Sequence, residues 1–487
     1  MVTAAALSLR AAEPKAKPVS LDDCIQLALQ HNLGLQIQRI DPLLKRYAIS
    51  LAYTSYEPTF SAGYTHSYSA SPGGIYGPFA AIGASKADND SFNAGIGGVL
   101  PSGATYGVDT RASKSLTTGF GAAENASASA GFNITQPLLR NLWVDGSRLT
   151  IALRKKDLRV SELSLEQRMI QTVTDVQVAY LSLIAAIESV EVRKLDLQQN
   201  EQLLRETKKR IDVGVLAVLD EKSAESAVAS ARAALLSSQN DLARAQNTLK
   251  NLLTDKYSDW QEVSLEPTER LTAPVQVFSR QDSWQKGLSL RPDLLQARTQ
   301  LEQSQITLRY DRNQLYPQLD FTATYRQSGG GPGSKQFGDA YGGVQSGDSP
   351  SYSYGFVLSI PLSNRQARYR YRQDKASLEA ALLSLKQLEQ SIMLEIDNLI
   401  AQAQSSLERV DSTEKAVVFA DAAWEAERKK LDNGKSTSYE VLLRQRDRSQ
   451  ARFNKISSLI DYNTSLARLA QSEGSTLQRN GIRVEAK

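Results

Sequence analysis

The stretch KRIDVGVLAVLDEKSAESAVASARAAL (residues 209–235) places Gly214 between two segments of helical periodicity. The stretch KKLDNGKSTSYEVLLRQRDRS (residues 429–449) repeats its order of basic residue, aliphatic, Asp, any residue and Gly, ending at Gly434. Glycine costs roughly 1 kcal/mol inside a helix, so two such placements mark ends rather than interiors. A residue just past a helix end commonly turns left-handed, a conformation glycine takes without steric penalty. Both glycines read as the tips of helical hairpins.

Outward from the tips, apolar residues keep the 3.5-residue period of coiled coils. Leu158, Leu165, Met169, Val173, Val176, Tyr180, Leu183 and Ile187 run toward Gly214, and Ala224, Val228, Ala231, Leu235 and Leu242 run away from it. Leu378, Leu382, Leu385, Ile392, Ile396 and Leu399 do the same before Gly434, followed by Leu442, Phe453, Ile456 and Ile460. From Pro137 to Gly214 the chain would extend about 100 Å if continuously helical at 1.5 Å per residue, longer than a globular domain is wide.

The two hairpins belong to an internal repeat. LALQHNLGLQIQRIDPLLKRYAISLAYTSYEPTF aligns without gaps on KGLSLRPDLLQARTQLEQSQITLRYDRNQLYPQL, setting Pro58 over Pro317. FNITQPLL and FVLSIPLS set Pro137 over Pro361, and Gly214 falls over Gly434. Three landmarks in one order make a duplication. Of the 29 glycines, 13 lie between Pro58 and Pro137 and 9 between Pro317 and Pro361. In those same segments Phe60, Ala62, Tyr64, His66 and Tyr68 alternate with small polar residues, as do Tyr352, Tyr354, Phe356, Leu358 and Ile360, and Leu319, Phe321, Ala323 and Tyr325. Strands with one apolar, tyrosine-rich face and one small polar face fit a membrane β-barrel; a soluble β-sandwich edge would alternate in the same way. One chain holds too few strands to close a barrel, and open edges are untenable in lipid, so other copies of the chain must complete it.

Composition narrows the function. The 57 basic and 53 acidic residues are spread along the chain, which gives no basic stripe for nucleic acid. Two histidines, His31 and His66, and a single cysteine leave little for metal binding, cofactor attachment or a catalytic triad, and no GxSxG-like elbow appears. Cys24 lies on an apolar helix face with Leu21 and Ala28, as a buried residue rather than a lipid-attachment site. No run approaches the 18 or more apolar residues expected of a membrane-spanning helix. Residues 1–20 have the small and apolar character of a signal-peptide remnant.

Two repeats of short helix, β region and very long helical hairpin resemble the TolC-like outer-membrane efflux protein family over roughly residues 20–472. The resemblance rests on the paired Pro58 and Pro317, on QPLL (136–139), on SIPLS (359–363), and on the tips IDVGVLAVLDE and LDNGKSTSYEV. It implies an α+β membrane protein: a homotrimeric outer-membrane β-barrel in lipid, continued by a periplasmic α-helical barrel of coiled-coil hairpins. The expected organisation is repeat 1 over 21–253 (helix 21–57, β region 58–137, hairpin 138–253), a connecting segment 254–281, repeat 2 over 282–472 (helix 282–316, β region 317–361, hairpin 362–472) and a polar tail 473–487. The implied function is a passive, cofactor-free, non-enzymatic duct for efflux or type I secretion. Its implied partners are a periplasmic adaptor (membrane fusion protein) and an inner-membrane transporter. The alternative is a coiled-coil scaffold of the cell envelope, which would have no use for tyrosine-bearing membrane stripes.

By the same resemblance Val213, Gly214, Val215, Asn433, Gly434 and Lys435 form the adaptor-docking surface. Relatives lock the periplasmic end with a tyrosine and an arginine around the second tip, tied to an aspartate after the first. Asp220 matches the aspartate, while Leu431 and Ser436 occupy the other two positions, so any lock is built differently. Glu440 keeps one acidic ring of the family and Leu443 replaces a second. Lys435 and Arg444 are the nearest basic residues in sequence for Asp220. Capping is an equally physical role for these acids: Thr437 and Glu440 have capping-box spacing, and Asp220 and Glu221 suit a helix first turn. The first β region is also longer than the second, 79 residues against 44 between the prolines, and SFNAGIGGVLPSGATYGVDTRAS reads as an extra strand-turn-strand. The family pattern is four strands per chain, twelve per barrel; this chain would supply six, or keep the extra hairpin outside the membrane.

Overall fold

The computed structural model describes residues 15–75, 81–119, 123–213, 218–347 and 349–482. β1 (Lys15–Val19) precedes the first repeat, which begins with α1 (Leu21–His31), α2 (Leu33–Tyr53), β2 (Thr59–Ser71), β3 (Gly74–Ile75), β4 (Ala81–Ile82), β5 (Ser85–Val99), β6 (Thr105–Thr118) and β7 (Ala123–Pro137). Two long helices follow, α3 (Gly146–Asp212) and α4 (Val218–Leu253), then β8 (Val263–Pro267). The second repeat is formed by α5 (Arg280–Leu290), α6 (Pro292–Asn313), β9 (Gln318–Pro332), α7 (Phe337–Ser346), β10 (Pro350–Ser359), α8 (Arg365–Asp432) and α9 (Ser438–Ser472), and α10 (Thr476–Arg479) lies in the tail that follows it.

The duplication is physical as well as textual. Ser20 caps α1 by accepting from the Asp23 N–H, and Ser279, at the spacing that separates Pro58 from Pro317, caps α5 by accepting from the Asp282 N–H. The single helix expected after each cap is broken at matching positions, Asn32 and Arg291, both in extended conformation. Asn32 breaks the first by accepting the Leu35 N–H on its side chain at 3.1 Å. Arg291 precedes Pro292, which disfavours helical geometry. Leu35 and Leu294 then occupy equivalent, fully buried sites.

The chain forms two compact units, and each draws on both repeats. One comprises the chain up to Pro42, Val160–Arg298 and the chain from Ser384 onward; the other comprises Leu43–Arg159 and Thr299–Leu383. The largest core of the first is made by Cys24, Ile25, Ala28, Val173, Val176, Tyr180, Leu183, Leu249, Leu253 and Leu265. Cys24 is buried there, and burial pushes its thiol up to about 12. Within α3 there is one window long and apolar enough to cross a bilayer, contrary to the expectation that no segment reaches that mark, and just over half of it is buried. Its apolar positions include Met169, Ile170, Val173, Val176 and Ile184, so its hydropathy is that of a core helix. β1 and β8 pair in parallel, with Lys15 opposite Val263 and Val19 opposite Pro267. The Tyr180 hydroxyl donates to the Val19 carbonyl at 3.1 Å and Ser20 caps α1, so residues 15–20 are structural; residues 1–14 of the expected signal remnant lie outside the described residues.

The second unit is organised by one antiparallel sheet in the order β10-β9-β7-β6-β5-β2. The extra strand-turn-strand is β5–β6, and the two repeats meet at the β7–β9 pairing. α7 lies on one face, where Ala340 packs with Ala112, Ala126 and Ala128. A side chain at Gly329 would meet the Ala340 carbonyl at 2.3 Å, so only glycine admits the helix this close. α3 starts at Gly146 rather than at 138: Asn141 and Trp143 take positive φ, and Asp145 Oδ1 accepts the Arg148 N–H at 2.9 Å.

Candidate functional site

The described part of the tips is built at the ends of α3 and α8 and the starts of α4 and α9. α8 closes in a Schellman arrangement: Lys435 N–H donates to the Lys430 carbonyl at 2.8 Å and Gly434 N–H to the Leu431 carbonyl at 3.1 Å. Gly434 has φ +70°, as the tip reading requires, with open space where a side chain would stand. Asn433 Nδ2 donates back to the Lys429 carbonyl at 2.8 Å. α9 then starts on Thr437, whose hydroxyl accepts from the Glu440 N–H at 3.3 Å. Gly214 and Val215 lie outside the described residues; Val213 ends the preceding segment with its side chain exposed.

The two residues that replace the family's polar lock have definite places. Leu431 is buried with Leu203 and Val441, so an apolar contact between α3, α8 and α9 stands where the tyrosine is expected. Ser436 donates its hydroxyl to Glu427. Ser436 and Lys430, both hydrogen-bonded to Glu427, hold its carboxyl below the usual range. Arg210, the basic residue of the first repeated motif, crosses to the second tip. It donates to the Leu431 carbonyl at 3.1 Å and to Asp432 Oδ1 at 3.3 Å. The motif's repetition was legible in sequence; that its arginine ties one tip to the other was not.

Asp220 and Glu221 stand in the first turn of α4, and Glu440 in that of α9. Glu221 and Glu225 face Lys208 at 3.4 and 3.5 Å, fastening α4 to α3. Arg444, a candidate partner for Asp220, pairs with Asp447 on its own helix at 3.4 Å. Away from the tip, Asp421 accepts from Arg448 at 2.5 Å and from Arg452 at 3.1 Å. Burial raises the Asp421 carboxyl, but these two guanidinium contacts outweigh it and the net shift is downward. Asp196 accepts from Gln445 at 3.1 Å and Ser449 at 3.0 Å, joining α3 to α9. A groove of about 860 Å³ beside these contacts is lined by Arg193, Lys222, Ser226, Tyr439 and Gln450 among others. Three large apolar side chains near the tips, Val218, Leu219 and Tyr439, are 64–75% exposed. They had no signal beyond their place beside the glycines.

His31 lies 3.7 Å from Asp255 and His66 2.9 Å from Asp90. Among the described residues no group of three or more His, Cys, Asp or Glu is placed to hold a metal ion.

Comparison with known proteins follows the same lines. Residues 24–254 and 284–475 match the model of the family described as outer membrane efflux protein. The chain is 23% identical over 364 residues to outer membrane protein TolC of Vibrio cholerae, covering 74% of this chain and 79% of that protein. It is 24% identical over 281 residues to the pyoverdine export outer membrane protein OpmQ of Pseudomonas aeruginosa, covering 56% of each. Among solved structures, the outer-membrane channel OprN superposes with a TM-score of 0.69 at 16% identity, over 93% of this chain and 90% of that one. The fold, strands joined to very long helices, is TolC-like.

Proposed function

Because this chain belongs to the outer membrane efflux protein family, it is an outer-membrane efflux channel with a periplasmic extension, and we propose that it works as a trimer gripped at its hairpin tips by a periplasmic adaptor. The observation that carries the trimer is the open sheet. β10 and β2 are its two edges, and in lipid an unpaired edge leaves backbone groups unsatisfied at several kcal/mol each. A second and third copy supply the missing partners, β10 of one chain against β2 of the next.

The tip surface supports the adaptor. Val213, Val218, Leu219 and Tyr439, each close in sequence to a tip glycine, expose apolar area, and exposed large apolar side chains are a feature of docking sites. In this reading Gly214 and Val215 complete the surface, while Asp220 and Glu440 line the narrow end. Closure rests on the Leu431 contact and the Arg210 bridge. The channel supplies no chemistry; an inner-membrane transporter selects the cargo and provides energy. The coiled-coil scaffold reading gives way to the family assignment. The test is efflux of a fluorescent dye from cells in which this chain is the sole outer-membrane channel. Paired Val213→Asp and Leu219→Asp substitutions should abolish efflux while three-chain assemblies persist in detergent; undiminished efflux would refute tip docking.

A further inference from the structure

The strand register sets one apolar rung across the whole sheet. Phe60 stands opposite Ile96, Ile96 opposite Val108, Val108 opposite Phe132, Phe132 opposite Tyr325, and Tyr325 opposite Tyr352. All six side chains are exposed in the single chain. The rung of the opposite face is Ser61, Gly95, Asp109, Gly131, Arg326 and Ser351, with Arg326 and Asp109 paired at 3.0 Å. Both characters run unbroken through β5 and β6, the hairpin beyond the family's four-strand pattern. Further along the apolar face, past Tyr64 and Phe92, come His66, Asp90 and Lys114, and Lys114 pairs with Glu124 at 2.9 Å. That is where an apolar band ends and water begins.

We propose that β5 and β6 are membrane strands, so that each chain contributes six strands rather than four to the wall that three copies close, with lipid against Ile96 and Val108. The inference rests on the trimeric-channel reading above. Three observations carry it. β2 has no neighbour in the sheet except β5, so a hairpin held outside the membrane would strip β2 of every hydrogen bond it makes within its own chain and open the wall there. The apolar rung of β5–β6 continues, without a step, the one on β7, β9 and β10, so the same solvent meets all of them. The turn joining β5 to β6 is tight: Leu100 N–H donates to the Ala104 carbonyl at 2.7 Å, and Ser102 donates to Gln136, at the end of β7 where α3 follows, at 3.0 Å. Short turns at the periplasmic end are the pattern of outer-membrane barrels. Because barrel diameter grows roughly linearly with strand number, the wall is about half again as wide as one with four strands per chain.

The test uses single cysteines in a Cys24→Ala background, each carrying a fluorescent label, in vesicles containing nitroxide-bearing lipid or with iodide in the aqueous phase. Ile96→Cys and Val108→Cys report the extra hairpin, Phe132→Cys and Tyr354→Cys the strands common to either count, and Asn93→Cys the opposite face. Lipid nitroxide should remove most fluorescence at Ile96 and Val108, to the extent seen at Phe132 and Tyr354, while Asn93 responds to iodide. Iodide quenching without lipid quenching at Ile96 and Val108, with Phe132 and Tyr354 still quenched by lipid, would overturn the six-strand wall and leave the channel reading intact. Absence of lipid quenching at all four positions would overturn the channel reading, and the proposal with it.

Discussion

Replacing Arg210 by Ala should loosen the second tip without disturbing the core of its unit. Arg210 makes two contacts there, to the Leu431 carbonyl at 3.1 Å and to Asp432 at 3.3 Å. The carbonyl bond contributes about 1 kcal/mol, a typical net value. The Asp432 pair is discounted to about 0.5 kcal/mol, because that carboxylate is more than half exposed and surface pairs are screened. A total of about 1.5 kcal/mol corresponds to roughly a tenfold change in an opening equilibrium. Hydrogen exchange read by mass spectrometry on peptides spanning 427–437 should therefore accelerate by about tenfold, with peptides around Tyr180 unchanged. Asp432→Ala, which loses only the ion pair, should accelerate exchange less than threefold, within the range of surface pairs. The bridge would be refuted if Arg210→Ala left exchange unchanged or acted no more strongly than Asp432→Ala.

Other outcomes follow from the same contacts. Gly434→Ala should cost about 1 kcal/mol through its positive φ alone, measurable as faster exchange at the tip, whereas Trp at Gly214 and Gly434 together should block adaptor cross-linking and efflux. Replacing Asp220 and Glu440 by Asn and Gln should lower cation selectivity in planar-bilayer recordings, since in the proposed trimer three copies of each would concentrate negative charge at one end; unaltered selectivity with a lower melting temperature would make them caps only. Burial, with Asp374 adjacent, pushes the Asp311 carboxyl up to about 6 against the pull of Arg370. The folded state then holds a proton the unfolded state has released, so stability falls as pH rises from about 4 to about 6 and is level above. Asp311→Asn should remove that slope from melting curves in detergent.

Most of the architecture was legible because it repeats. Matching prolines, glycine-rich alternation and heptads each have a fixed period, and the duplication doubled every signal. The extra hairpin was visible for the same reason, as an alternating pair around a Pro-Ser-Gly turn. Parallel pairing of β1 with β8 was not: KAKPV is too short to show a period, and its partner lies far away in sequence. Leu431 illustrates a second limit. Its neighbours along the chain are charged, and only the approach of Leu203 and Val441 makes it an interior residue. Arg210 could be recognised as one half of a repeated motif, but a cation's partner across two hairpins is a matter of packing, which no spacing encodes.

In the proposed assembly three copies close one pore. Mass measurement of the protein extracted in mild detergent tests it most directly. A single assembly of three chains is expected, because the β2 and β10 edges of one chain can be satisfied only by others. A stable monomer in the membrane extract would contradict it.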